Sequence, residues 1–433
     1  MQETIAYIIE FLLHGNKQLI SEVGYTSDAK LFDHYSVVII PSKFFDNNIY
    51  GTAESMPRLP LQHIEQTPFL FGKPLLRKEG KTLIVEADII ASSYFLLSRY
   101  EEMLNQTKLR DEHGRFIGKK SLPYLAGFID RPIVDEYGQL LRAWLRQQGC
   151  DVTEPEAKYN NIFLTHDVDS IAHFRYLRGT IGGFIRGLLH KGSTIKVVLK
   201  SLFSLEKDPA YTFPWIYERD KQVQGAIPIY FIKAAKHVKG FDYPGYKLKG
   251  KDFTAFVKHT LNNCPNAQFG LHASYQSGYE PNLILEERNR LQKVFPKQVI
   301  TSARHHYLHA LQPEDMMYLI KAGITDDYTM GYADIAGFRL GTCRAVRFIN
   351  PHTKALTPLI LHPLTMMDGT LSESKYMGLD EIQALEYAKQ LMNETKKHNG
   401  DLCLLWHNTR FTNNNYHKAL YQSVIQYLLV EVQ

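Results

Sequence analysis

The sequence predicts an α/β protein: a parallel β/α barrel of seven strands, closed or nearly closed, over residues 155–433, preceded by a small α+β domain over residues 1–154. Three observations carry this. A chain of 433 residues exceeds one ordinary compact domain, so two domains, one of them large, are expected. Beyond the acidic, proline-containing stretch Asp151–Ala157, short apolar runs recur with helical patterns between several of them, as in parallel β/α architecture. Seven such runs sit awkwardly in an open sheet wound in two halves and suit a barrel.

At the N-terminus, the apolar stretch Ile5–Leu13 carries Glu3 and Glu10 and has neither a basic flank nor a small-residue cleavage site. It reads as an amphipathic helix rather than a secretion signal. Ser36–Ile40 is a short β-branched strand ending at Pro41, and Leu83–Asp88 is a second. The run Ile89–Leu104 and the segment Val134–Gln148, just after Arg131-Pro132, are helical. The barrel strands are Asn161–Thr165, Ile227–Ile232, Gln268–Leu271, Gln298–Ser302, Gly323–Thr325, Leu359–Leu361 and Leu402–Trp406. Helices are expected at Phe253–Leu261, Leu283–Val294, Pro313–Ala322 and Leu379–His398. Arg175–Lys207 departs from this rhythm. It is helical in pattern and basic, with Arg175, Arg178, Arg186, Lys191, Lys196 and Lys200, and it interleaves Ile181, Phe184, Leu188, Leu202 and Phe203. Two readings stand: an insertion packed on the barrel, or a surface that meets anionic lipid or a polyanionic glycan carrier.

Composition narrows the function classes. A hydrophobic fraction of 44% with 22% charged residues supplies a real core and excludes wholesale disorder. A formal net charge of +5 is mild for this size and gives no ground for a nucleic-acid partner. Cys150, Cys264, Cys343 and Cys403 are scattered, without a C-x-x-C pair, which fits a reducing compartment. No apolar run is long enough to span a bilayer. The expected location is therefore cytoplasmic, with peripheral contact to the inner membrane if the basic segment meets lipid.

In β/α barrels the reactive groups sit just beyond the C-terminal strand ends. Here those positions hold His166-Asp167-Val168-Asp169, His272, Arg304-His305-His306-Tyr307, Asp326-Asp327, His362 and Trp406-His407-Asn408. A structural barrel has no need to deliver a His or Asp from nearly every strand to one rim. In Asp-x-Asp, alternation puts both carboxylates on one side, so one can bind a cation while the other takes a proton. Oxygen plus imidazole ligands suit Zn²⁺, with other divalent first-row ions as alternatives.

Thr165-His166-Asp167-Val168-Asp169 resembles the first motif of the polysaccharide deacetylases, the NodB-homology carbohydrate esterases. Phe269-Gly270-Leu271-His272 is similar to the opening of their second motif, Arg304-His305-His306-Tyr307 to their third, and Leu404-Leu405-Trp406-His407 to their last. Order and spacing agree over about 275 residues. A bacterial subgroup associated with capsule or surface-glycan biosynthesis is similar also in Gly331–Asp334, Gly337–Arg339, Met367–Leu371 and Trp406–Asn408. That subgroup carries an N-terminal domain of unknown function, which Leu97–Glu102 and Asp111–Phe116 resemble.

The resemblance implies a distorted seven-stranded β/α barrel and hydrolysis of an N- or O-acetyl group on a sugar of a glycan or its precursor. It implies Asp167 as general base, oriented by Arg304. Asp169 and His272 would be metal ligands, the backbone N–H near Tyr307 an oxyanion donor, and His407 the general acid. Two departures matter. Where the second motif supplies another histidine, this chain has Tyr275 and Gln276, and His306 replaces the third motif's proline. His306 is therefore the expected third ligand, ahead of His305 and then His166. The rival reading is a catalytically weak carbohydrate-binding or scaffold protein of glycan assembly, and a third is an amidase acting on another amide. Arg99, Glu101, Glu102, Asp111, His113 and Arg115 would form an interface with the barrel or extend its groove.

Overall fold

In the computed structural model, which describes residues 1–189, 193–412 and 415–431, the C-terminal part builds nine strands. They are β1 (Asn161–Val168), β2 (Ile227–Lys233), β3 (Gln268–Ala273), β4 (Ser302–His305), β5 (Asp326–Asp327), β6 (Val346–Asn350), β7 (Ala355–Leu361), β8 (Met366–Met367) and β9 (Asp401–Leu405). The sheet order is β6-β7-β5-β4-β3-β2-β1-β9-β8. Every pairing is parallel except the β6–β7 hairpin. β7 pairs with β5, and β8, separated from β7 by four residues of the same stretch of chain, pairs with β9. One broken stave thus joins the two ends of the sheet and curls it into a distorted barrel of seven staves.

The seven expected strands are β1–β5, β7 and β9; β6 and β8 were not anticipated. The fourth and fifth lie slightly later than the apolar runs indicated, at Ser302–His305 and Asp326–Asp327. The reason is physical: these strands are short and polar, so the apolar approach to each gives the stronger signal. Inside the curl, Phe163, Ile229, Phe231, Tyr328, Leu364, Cys403 and Leu405 form a small core of their own, separate from the large one between sheet and helices. The interior is tight. A Cβ on Gly270 would stand 2.7 Å from the Phe231 ring and from Ser302 Oγ, so β3 presents a glycine where Phe231 fills the barrel.

The N-terminal part is a small mixed α/β unit. Strands Val37–Ile39 and Thr82–Ala87 lie parallel in a four-stranded sheet. Asp88 caps the next helix by accepting from Ala91 N. That helix ends at Leu97, and Arg99, at φ +58°, breaks the expected Ile89–Leu104 run in two. Helices Gln2–Leu12 and Ile133–Gln147 bury apolar faces in the same core as the barrel's outer layer. Across the junction, Arg339 donates to both oxygens of Glu102, at 2.9 and 2.7 Å, and Arg99 donates to the Ala310 carbonyl.

The basic segment forms two helices, Leu177–Leu189 and Ser193–Phe203, which cross closely where Gly183 meets Val198 and Phe174. Lys191 lies outside the described residues. No helix among the described residues is long and apolar enough to cross a membrane.

Candidate active site

Alternation along each strand selects the residues that face the barrel interior. From β1 it is Thr165 and Asp167; His166 faces outward, with Nε2 2.9 Å from Asp220 and its ring on Tyr230. From β4 it is Arg304; His305 turns outward to Thr329. Just past β4, Tyr307 and Leu308 both take positive φ, +62° and +53°. This sparsely populated backbone turns the chain sharply beside His306, whose ring comes back over His272.

The interior residues meet at the C-terminal rim. Asp167 accepts from Arg304 Nη1 at 3.0 Å, and its other oxygen stands 3.5 Å from His272 Nε2 and 3.8 Å from His407 Nε2. Asp169 Oδ1 lies 3.6 Å from His272 Nε2 and 3.3 Å from His306 Nε2. Arg304 is fully buried. It also donates to Thr165 Oγ1 and the Tyr328 carbonyl and lies over the Phe231 ring, so it holds Asp167 from a fixed position.

Each histidine has one ring nitrogen committed. His272 Nδ1 is 3.1 Å from the Arg304 carbonyl, which can only accept, so this nitrogen carries the proton and Nε2 keeps its lone pair. His306 Nδ1 is 2.9 Å from Asp242 Oδ1, and His407 Nδ1 is 2.9 Å from Asp368 Oδ1. Asp368 also accepts from His407 N at 2.7 Å. Burial opposes a charge on His407, but Asp368, then Asp169 and Asp167, push its pKa up to about 9. Burial would raise the Asp169 carboxyl, yet His306 and His272 beside it hold it well below the usual range. Burial likewise works against the charge on His306, but Asp169 and Asp242 raise it above an ordinary histidine.

The donor set fits a divalent cation. Asp169, His272 and His306 offer one atom each, all within 4.8 Å of one another. Ligand atoms about 2.0–2.1 Å from a tetrahedral Zn²⁺ stand about 3.3 Å apart, close to the two distances given above. Asp169 Oδ1 and His272 Nε2 are buried yet make no hydrogen bond. Such orphaned atoms are rare unless something else satisfies them. The other trio with similar spacing among the described residues, Glu136, Glu394 and His398, has its Glu136 carboxylate taken by Arg131.

A groove crosses this cluster. A cavity of about 560 Å³ opens on one side, walled by Phe241 and Tyr243, and one of about 400 Å³ on the other, walled by Arg115, Tyr376 and Arg410. Asp169, His306 and Tyr307 line both. The N-terminal part reaches this groove: Arg115 donates to the Tyr307 carbonyl and the Tyr376 hydroxyl, each at 2.9 Å. Arg99 and Glu102 sit at the interface instead.

The structure thus brings Asp167, Asp169, His272, Arg304, His306, Tyr307 and His407 to one place. Asp326 and His362 pair with each other at 2.9 Å, and Asp327 accepts from Thr329; none of these three joins the cluster. Sequence reasoning missed Asp242 and Asp368. Asp368 lies in Met367–Leu371, a segment noted only as similar. Asp242 occupies a short irregular turn, Gly240–Asp242, with no periodicity to mark it.

Fold and site together define a class: a distorted β/α barrel with an Asp-His-His cluster suited to a divalent ion at its C-terminal rim. Residues 2–150 match the model of a family of unknown function, DUF7033. No curated protein matches. Two solved structures are similar over the C-terminal two-thirds. One, from Mycobacterium smegmatis, is described as a "putative polysaccharide deacetylase". It is 13% identical with a TM-score of 0.38, over 65% of this chain and 88% of that one. The other, from Bordetella bronchiseptica, carries the same description with involvement in O-antigen biosynthesis. It is 14% identical with a TM-score of 0.32, over 66% of this chain and 96% of that one.

Proposed function

We propose that the protein is a metal-dependent deacetylase that hydrolyses an N- or O-acetyl group on a sugar of a surface glycan or its precursor. Asp169, His272 and His306 would hold a divalent ion, Zn²⁺ by its ligand chemistry. The observation that carries this reading is the pair of buried, unbonded atoms, Asp169 Oδ1 and His272 Nε2, facing His306 Nε2 and flanked by Asp167 and His407.

A divalent ion there supplies Lewis acidity, polarising an acyl carbonyl and making water easier to deprotonate. Asp167, fixed by Arg304, takes the proton from the attacking water. Asp368 accepts the Nδ1 proton of His407 and, with Asp169 and Asp167, favours the imidazolium, so Nε2 carries a proton as well and delivers it to the departing amine or hydroxyl. The backbone N–H at Tyr307 would stabilise the oxygen on which charge develops. The groove extends to both sides of the cluster, which suits a sugar within a chain.

The test combines metal analysis of the purified protein with acetate release from a panel of N- and O-acetylated oligosaccharides. Near-stoichiometric metal and acetate release lost on chelation are expected. Tight glycan binding with neither metal nor acetate release would instead establish the binding or scaffold reading.

A further inference from the structure

The two helices of the basic segment leave apolar side chains in the open. Leu177, Ile181, Ile185 and Leu188 recur at helical spacing along the first helix and are 80, 51, 53 and 77% exposed. Phe203, at the end of the second helix, is 90% exposed, with Leu199 and Leu202 each at 43% beside it. Residues repeating every three or four positions share one face, so the first helix carries a continuous apolar stripe left exposed by the described residues. The expectation that these side chains pack on the barrel fails for Leu188, Leu202 and Phe203; Phe184 is half-buried.

The charge of the same segment is one-sided. Between Arg175 and Ser204 there are Arg175, Arg178, Arg186, Lys191, Lys196 and Lys200 and no Asp or Glu. Of these, Arg175 is committed to Asp252 at 2.7 Å. Arg178 lies over the ring of Tyr243, 5.7 Å from its centroid, and Tyr243 is half exposed at the wall of the larger cavity. Apolar stripe, cationic flanks and cavity mouth are therefore contiguous.

We infer that this helical hairpin seats on an anionic lipid surface, its leucine, isoleucine and phenylalanine side chains entering the interface and its basic residues meeting acidic headgroups. Charge selects this occupant. A second copy of the chain would bring the same cations face to face, whereas an anionic leaflet matches them. An apolar stripe with Lys/Arg flanks and no acidic residue is how an amphipathic helix lies in a membrane interface without crossing it. Seated in this way, the hairpin brings the Tyr243 side of the groove to the bilayer. The inference is independent of the deacetylase reading, because its readout is partition rather than turnover.

The experiment is co-sedimentation of the full-length protein with vesicles of phosphatidylcholine containing 30% phosphatidylglycerol, against pure phosphatidylcholine, at low and high salt. Binding to the anionic vesicles that weakens with salt is expected. Arg178→Glu, Lys196→Glu and Lys200→Glu together should lower the partition coefficient by about 10²-fold or more. Leu188→Ser with Phe203→Ser should lower it by about tenfold at unchanged charge. Phe203→Trp should be quenched by lipids brominated on the acyl chain. Sedimentation velocity without lipid separates the rival occupant. Equal binding to both vesicle types, no binding at low salt, or a dimer abolished by the Ser pair would each overturn the inference.

Discussion

Asp242→Asn is a sharp probe of the proposed metal site, because it replaces no ligand and barely changes shape. The carboxylate fixes the His306 tautomer: it can only accept, so Nδ1 must donate across 2.9 Å and Nε2 must present a lone pair toward Asp169. The same oxygen, Oδ1, also accepts from Tyr275 N at 2.8 Å. With the amide oxygen of an asparagine in that place both bonds survive and only the charge behind His306 is lost; with its NH₂ there the ring proton is driven to Nε2, toward the place a cation would occupy. Losing such an outer carboxylate weakens metal affinity by about 10–100-fold, about 1.4–2.7 kcal/mol. His306→Gln, removing the ligand itself, should cost more than either limit. The assay is Zn²⁺ titration against a competing chelator, with circular dichroism to verify folding. Asp242→Asn with unchanged affinity would show the carboxylate behind His306 to be idle, and His306→Gln with unchanged affinity would refute ligation through Nε2 and with it the proposed ligand set.

Asp167→Asn should keep metal content near that of the parent while cutting acetate release by about 10² or more; parental turnover would mean that another group takes the proton. His407 is charged up to about pH 9, so kcat/KM should fall above that pH as the acid is lost. Asp368→Asn removes the main cause of the shift and should move this alkaline limb to lower pH, and a limb left in place would rule out His407 as the acid. At the interface, Glu102→Ala leaves Arg99 and Arg339 buried without their partner and should cost about 3–5 kcal/mol in urea unfolding; a loss below about 1 kcal/mol would show the pair to be idle. Stability should also fall at both ends of the pH scale. Glu102 is desolvated, but Arg339 and Arg99 hold its pKa at about 2 against an ordinary 4.5, so its contribution is present above the ordinary value and is lost as pH falls toward 2. Burial pushes neighbouring Glu101 up to about 8, so its preference for the folded state is lost as pH rises from about 4.5 through 8. Melting temperatures across pH 3–9 would show whether the optimum lies between those limits.

The sequence revealed most where one residue type had to serve one period. β1 and β2 are long apolar runs, and their register places Asp167 beside Phe231. The parity that separates Asp167 from His166, and Arg304 from His305, follows from strand alternation, whereas His306 is placed by the turn just past β4. β4 read early because the site makes it polar, and β5 because it is only Asp326–Asp327, whose carboxylates serve His362 and Thr329. The closing stave was illegible for a different reason. β8 is only two residues long, and its pairing with β9 depends on the curl of the whole sheet. Asp242 and Asp368 were invisible as partners because each acts on a histidine far along the chain, at separations of 64 and 39 residues. The hairpin's exposure was hidden as well, since an apolar helical stripe looks the same whether a barrel covers it or nothing does.

The two missed aspartates also explain how similar histidines can take different parts. His306 and His407 are each held at Nδ1 by a buried carboxylate at 2.9 Å, so in both the group available for chemistry is Nε2. What faces that nitrogen differs. Opposite His306 Nε2 stands Asp169, with His272 Nε2 completing three converging donors. A doubly charged ion can satisfy all three together, whereas one proton can satisfy only a pair of them. Opposite His407 Nε2 stands Asp167 alone, at 3.8 Å, with Arg304 already engaging the far oxygen of that carboxylate. A single carboxylate beside one imidazole favours a proton over a metal. The same backing device thus prepares one histidine to coordinate and the other to donate, and the number of donors converging on each Nε2 separates the two roles.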